Sequence, residues 1–146
     1  MASHECRLRV RYAETDQMGI VYHANYLIWM EIGRVELVRS LGLSYKRMEE
    51  AEGLYLSVIE ANCRYLFPAR YDQEIAVATE IVKANSRSVE FAYRIAACEP
   101  ARVLATGYTR HIWLNREMRP CRIPEHYASL IGVSAGRKAP ETARDE

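Results

Sequence analysis

The stretch Arg11-Tyr12-Ala13-Glu14-Thr15-Asp16-Gln17-Met18-Gly19-Ile20-Val21-Tyr22-His23-Ala24-Asn25-Tyr26 decides how the chain is read, because the hydrophobic period changes across it. Ahead of it, Cys6, Leu8, Val10 and Tyr12 alternate with Arg7, Arg9 and Arg11, the period of two expected of a half-buried strand. Beyond it, Tyr26, Met30, Gly33, Leu37 and Leu41 recur at helical spacing, with Glu31, Arg34 and Arg39 on another side. The stretch therefore reads as a strand, a loop turned at Gly19, and a helix opening near Asn25. Asp16 lies in the loop, and seven residues later His23 reaches the helix start. If the loop folds back, the Asp16 carboxylate faces the unpaired N-H groups of the first turn, whose partial positive charge can hold an oxyanion. Such a pairing suits acyl transfer.

From Asn25 to about Leu41 the consecutive Leu27-Ile28-Trp29-Met30 widens the apolar face beyond a surface stripe, so the helix is expected to be wrapped by other elements. Gly33 within it costs roughly 1 kcal/mol relative to Ala. Close packing against a sheet explains its presence; a tolerated weak point explains it equally well. Gly42 stops the helix, Ser44 is a candidate cap, and Tyr45 to Ala51 forms a short second helix or a turn before Gly53.

Four strand-like stretches follow: Leu54 to Phe67, Gln73 to Ala84, Arg87 to Cys98 and Ala101 to Leu114. Their short connections imply antiparallel hairpins, since parallel pairs need a dozen or more linking residues. The expected order is one strand, one long helix, then a four-strand meander. Pro124 can open a last short helix through about Ile131. The fold class is α+β, an antiparallel five-stranded sheet curled around one long helix. One domain, 1–132, accounts for this, with 133–146 a flexible tail. The outer face and edges of such a sheet call for a partner subunit.

At 146 residues and 49% hydrophobic content, the chain holds one globular core and not two. It has no apolar run near the ~20 residues of a membrane span, and Met1-Ala2-Ser3-His4-Glu5-Cys6 lacks the apolar centre of a signal peptide, so a cytoplasmic location is expected. Cys6, Cys63, Cys98 and Cys121 are scattered without a CxxC pair, which gives no zinc or redox motif and suits reduced thiols. A net charge of +1 supplies no global field for nucleic acid. Any anion site has to be local.

Thr15-Asp16, Gly19-Ile20-Val21-Tyr22-His23 and Asn25-Tyr26 form an Asp-x-x-Gly-x-Val-x-His-x-x-Tyr core. It resembles the signature of hotdog-fold acyl-CoA thioesterases of the 4-hydroxybenzoyl-CoA thioesterase family, within it the YbgC-type branch. Arg64-Tyr65 through Tyr71-Asp72 and the order of elements carry the resemblance to about Gly132. It implies a hotdog subunit, a homodimer with a continuous sheet or a homotetramer, and hydrolysis of a fatty or aromatic acyl-CoA without metal or cofactor beyond the CoA of the substrate. Asp16 falls at the family's catalytic carboxylate, and His23 at the position whose backbone N-H polarises the thioester carbonyl. No role for the His23 side chain is implied. Arg87 and Ser88 fall near groups that touch the CoA nucleotide.

Asp16 would act as general base for water, or attack directly to give a mixed anhydride that water opens. Several of these residues also have plainer readings. Asp16 can be a turn-former that bonds its own backbone, and Asn25 a helix cap as well as a substrate contact. Tyr22, Tyr26 and Trp29 fit the core, or one of them lines an acyl tunnel. Glu31 reaches the site of a neighbouring subunit, or pairs with Arg34 at i, i+3. Arg64, Arg70, Lys83 and Arg87 gather around the CoA phosphates, or sit solvated. His111 and Trp113 read as packing.

Three rival functions follow from the same residues. An acyl-carrier-protein thioester, fatty or polyketide, can replace the acyl-CoA. A non-catalytic acyl-CoA binding module would bind without releasing thiol. A dehydratase or hydratase on the same fold uses a His and Asp pair deeper on the long helix, and Asn25 to Leu41 holds no His.

Overall fold

In the computed structural model, which describes residues 2–133, the first strand β1 (Ser3–Arg9) alternates as read, with His4, Cys6 and Leu8 turned inward and Glu5, Arg7 and Arg9 outward. It ends sooner than expected. Val10 is buried, and the chain then bends into a 3-10 turn at Tyr12–Glu14, so Tyr12 leaves the strand and stands 77% exposed against Tyr71. The bend is set by Glu14, whose carboxylate accepts the Arg11 amide at 2.8 Å and takes that donor out of any strand ladder. Residues 134–146, read above as most of the tail, lie outside the described residues.

Helix α1 (Asn25–Ser40) buries Tyr26, Trp29, Met30, Gly33, Leu37 and Val38 on one face. Gly33 is explained by the close-packing reading. A β-carbon there would stand 2.4 Å from Thr79 Oγ1 and 2.8 Å from Val77 Cγ1, so its absence lets the helix lie against the sheet. Leu27, Ile28 and Ile32 are left exposed on the other side, so the sheet of one chain covers only one face of α1. Helix α2 (Tyr45–Glu52) starts at Ser44, whose hydroxyl accepts the Arg47 amide, and stops at Gly53 with φ +61°.

The sheet contains β1, β2 (Tyr55–Tyr65), β3 (Glu74–Ala84), β4 (Ser88–Cys98) and β5 (Ala101–Leu114), all antiparallel, in the order β1-β3-β4-β5-β2. A short α3 (Glu125–Ala128) closes the described chain. The expected four-strand meander is corrected here. β3, β4 and β5 are a meander, but β2 pairs with β5 and forms an edge. The reason lies in the β2–β3 link. Leu66 and Phe67 both donate to the Leu104 carbonyl, at 2.8 and 3.2 Å. Pro68 has no N-H, and the Ala69 amide donates to the Tyr26 hydroxyl while its carbonyl accepts the Val21 amide. The link's polar groups are thus satisfied by β5, α1 and the loop ahead of α1, and no hairpin forms.

His111 and Trp113 pack inside, as read. His111 Nε2 lies 2.8 Å from Thr109 Oγ1, and burial, with the Arg34 charge beside it, pushes the imidazole pKa down to about 3, so the ring is neutral.

Candidate active site

The loop that carries Asp16 is held at both ends by one residue, Glu14. Its Oε1 accepts the Arg11 amide and faces the Arg11 guanidinium at 3.5 Å; its Oε2 accepts Trp29 Nε1 at 2.7 Å, in the core face of α1. Its main-chain carbonyl accepts the Tyr22 amide at 2.9 Å and Asn25 Nδ2 at 2.8 Å. Burial alone would raise the Glu14 carboxyl, but the hydrogen bonds from Arg11 and Trp29 outweigh it and hold the pKa below the ordinary carboxylate value. Sequence reading passed over Glu14. The available signals were its three-residue spacing from Arg11 and a Trp on the buried face of the next helix, which needs a partner for its N-H.

Within that frame Asp16 forms a tight turn. Its amide donates to the Ile20 carbonyl, Gly19 at φ +77° donates back to the Asp16 carbonyl, and Asp16 Oδ1 accepts the Met18 amide at 2.8 Å. The turn-former reading is therefore correct as far as Oδ1 goes. Oδ2 has no hydrogen-bond partner among the described residues. Asp16 is half-buried and lines a cavity of about 310 Å³ together with Val21, His23, Tyr26, Tyr65 and Phe67.

His23 and Ala24 precede α1 directly. Among the described residues neither amide meets an acceptor, whereas the Asn25, Tyr26 and Leu27 amides bond back to Tyr22, His23 and Ala24. Free N-H groups at a helix start carry partial positive charge, and His23 is among the residues that line the cavity. Tyr65, at the end of β2, fixes this corner. Its hydroxyl donates to the His23 carbonyl at 2.9 Å, and its ring stands edge-on to His23 and Tyr26. Burial, reinforced by Cys63, pushes its phenol pKa up to about 12, so it remains a donor. From sequence Tyr65 enters only within the stretch Arg64-Tyr65 through Tyr71-Asp72 and carries no role of its own, because its partner His23 lies 42 positions away.

The other residues named from sequence divide. Tyr26 lines the cavity, buried, with its hydroxyl holding Ala69. Tyr22, half exposed, packs against the His23 ring with the two planes tilted by 56°. Asn25 is not the cap expected of it; Ala24 takes that position, and Asn25 donates to the loop instead. Glu31 lies exposed on α1, away from the cavity. The expected pair with Arg34 is absent among the described residues; the i, i+3 pair on this helix is Glu36 with Arg39.

Arg87, in the turn, and Ser88, which opens β4, both donate their amides to Asn85 Oδ1 at the far end of the sheet. Tyr65 pairs with Ala105 and Ala105 with Ile95, while Ser88 pairs with Ile112. Ser88 and the cavity are therefore seven residues apart along β4, roughly 23 Å at about 3.3 Å per residue. Nor do Arg64, Arg70, Lys83 and Arg87 gather at one point: Lys83 approaches Glu90, Arg64 pairs with Thr106 next to Tyr65 on β2, and Arg70 stands in the β2–β3 link. No described helix is long and apolar enough to cross a membrane.

Residues 10–131 match the profile of the thioesterase-like superfamily. The chain belongs to this superfamily. Among its relatives, YneP of Bacillus subtilis (strain 168), provisionally named an acyl-CoA thioesterase, is 43% identical over 111 residues, covering 75% of this chain and 78% of YneP. The acyl-acyl carrier protein thioesterase ATL2 of Arabidopsis thaliana is 30% identical over 132 residues, covering 88% of this chain and 68% of ATL2. The crystal structure of a DHNA-CoA thioesterase from Staphylococcus aureus superposes with a TM-score of 0.80 at 32% identity, over 84% of this chain and 81% of that one. The five-stranded sheet with its single long helix is accordingly the hotdog fold of these thioesterases.

Proposed function

We propose that this chain hydrolyses acyl-CoA thioesters to free acid and CoA, with Asp16 as the acid-base or nucleophilic group and the His23 amide as the oxyanion donor. The observation that carries the reading is the joint placement of Asp16 and His23 in one cavity, with Oδ2 and the helix-start amides unpartnered among the described residues. Names of relatives in the same superfamily support acyl-CoA as the substrate.

In the general-base route Oδ2 takes a proton from water, and the water oxygen attacks the carbonyl carbon. The carbonyl oxygen becomes an oxyanion against the His23 amide, the C-S bond breaks, and the thiolate recovers the proton from Asp16. In the nucleophilic route Oδ2 itself forms the new C-O bond, the thiolate leaves, and water then opens the anhydride. A single oxyanion donor is worth about 3 kcal/mol. Thioesters are reactive enough that neither route requires a metal or a further cofactor.

Two parts of the reading depend on a second copy of the chain. β2 is an edge strand with Val58 and Ile59 46% and 58% exposed, and α1 leaves Leu27, Ile28 and Ile32 bare. Pairing copies along β2 into a homodimer, or further into a homotetramer, covers such surfaces. Only a neighbouring copy can bring Glu31, Arg87 or Ser88 to the cavity described here. The four free cysteines suit the reducing cytoplasm, which we take as the location.

Asp16→Asn is the direct test, because Asn keeps an oxygen for the Met18 amide and leaves the turn standing. With a panel of fatty and aromatic acyl-CoAs and a thiol reagent, the variant should turn over at least about 100-fold more slowly, at unchanged oligomeric size. Equal rates would remove Asp16 from the chemistry. The likeness to ATL2 favours acyl-carrier thioesters as the second reading, and cleavage of these alone would move the assignment there. Saturable binding of acyl-CoA with no thiol released would indicate a binding module.

A further inference from the structure

One carbonyl oxygen joins the Asp16 loop to the start of α1. The Glu14 main-chain oxygen accepts the Tyr22 amide at 2.9 Å and Asn25 Nδ2 at 2.8 Å. Tyr22 and Asn25 also close a turn on themselves, the Asn25 amide donating to the Tyr22 carbonyl at 3.0 Å. His23 and Ala24 are therefore spanned by a pair of bonds to a single atom, and theirs are the amides that meet no acceptor among the described residues. The oxygen that holds them is itself fixed, because Glu14 is buried and its carboxylate is held by the Arg11 amide and the Trp29 indole. Asn25 and Trp29 stand at i and i+4, one above the other on α1. Two successive turns of the helix thus grip one residue of the loop, Trp29 through the Glu14 carboxylate and Asn25 through the Glu14 carbonyl.

The direction of the Asn25 bond matters. An asparagine at a helix start ordinarily turns its oxygen onto the first amides as a cap. Here Ala24 holds the cap position with no side-chain bond, and Asn25 turns its NH2 away from the helix to the loop. Asn25 is half-buried and does not line the cavity, whereas Asp16 and His23 do. We propose that Asn25 is a positioning residue for the thioester reaction: through the Glu14 carbonyl it sets the His23 and Ala24 amides in register with the Asp16 carboxylate, and it touches no substrate itself. The inference rests on the roles proposed above for Asp16 and the His23 amide.

Two variants test it. Asn25→Asp keeps the shape but replaces the donor by an acceptor that the Glu14 carbonyl repels, and the added charge stands at a helix N-terminus, where the dipole favours it. Asn25→Ala removes the same bond without adding a charge beside the Asp16 loop. Per folded protein, both should lose kcat by about tenfold or more, since a misplacement of about 1 Å in a reacting geometry costs on the order of 100-fold. KM for acyl-CoA should stay within about twofold of wild type. A raised KM with kcat unchanged would make Asn25 a substrate contact and overturn the proposal. A loss in Asn25→Asp that is absent in Asn25→Ala belongs to the added charge and overturns it too, as does wild-type turnover in both.

Amide resonances of the 15N-labelled protein judge the link without turnover. The Met18 amide reports on Asp16 through its bond to Oδ1, seven positions from Asn25, and should shift in both variants; the Tyr22 amide, which shares the Glu14 oxygen, should exchange faster with solvent. If Asp16→Asn turns over as fast as wild type, the proposed chemistry falls while these two amides still decide whether Asn25 orders the loop. If both amides keep their wild-type behaviour, the positioning role falls and the chemistry assigned to Asp16 stands.

Discussion

Glu14→Gln isolates the device that holds the reactive loop. In the wild-type protein the two carboxylate oxygens serve two separate donors, the Arg11 amide at 2.8 Å and the Trp29 indole at 2.7 Å, and Glu14 is only 4% exposed. Gln has nearly the same shape but one acceptor oxygen. One donor therefore keeps its bond and the other meets an NH2 group, and Trp29 is fully buried with no water to replace the loss. The expected cost is that of a hydrogen bond to a charged group, about 1.5–3 kcal/mol. In a domain of this size that lowers Tm by roughly 4–10 °C. Thermal unfolding followed by near-UV circular dichroism measures it. The pH dependence provides an independent check of sign. The folded Glu14 pKa lies below its ordinary value of 4.5, so its contribution is fully present above that value and is lost as pH falls through the folded pKa. The difference in Tm between wild type and variant should therefore shrink below about pH 4.5. Trp29→Phe removes the indole donor, and Glu14→Gln in that background should cost measurably less than in the wild type. A variant within 0.5 kcal/mol of wild type, or a double-mutant cycle with no coupling, would refute the assignment (a coupling of about 0.5 kcal/mol or more is what contacting residues show).

Tyr65→Phe removes the hydroxyl that donates to the His23 carbonyl at 2.9 Å; acyl-CoA turnover should fall about tenfold with little change in Tm, because the ring contacts remain. Gly33→Ala places a methyl 2.4 Å from Thr79 Oγ1 and 2.8 Å from Val77 Cγ1, so it should destabilise by about 1–3 kcal/mol in denaturant unfolding despite the better helix propensity of Ala. Thr79→Ala should recover part of that loss, since the Thr79 hydroxyl is buried without a partner. Ile59→Lys, on the free edge strand β2, should shift the oligomer towards monomer in sedimentation without unfolding it.

The parts of this molecule that were legible in its sequence are those in which neighbouring residues act together. The change of period between Val10 and Tyr26 marks the loop, β5 falls at Ala101–Leu114 as read, and Asp16, Gly19 and His23 lie close enough in sequence for their turn and helix start to be written locally. What was not legible depends on partners far along the chain. The position of β2 follows from where Leu66, Phe67 and Ala69 send their polar groups, to Leu104, Tyr26 and Val21, and none of these is visible from the strand pattern. Glu14 resembles a solvent-facing acid until Trp29 arrives fifteen residues later with an unsatisfied N-H. Tyr65 acquires its contact only because the edge strand returns to the helix start, 42 positions from His23. The same link that defeats a reading based on local pairing builds one side of the reacting cavity through Phe67 and Pro68, and a chain with the simple meander order would lack that wall.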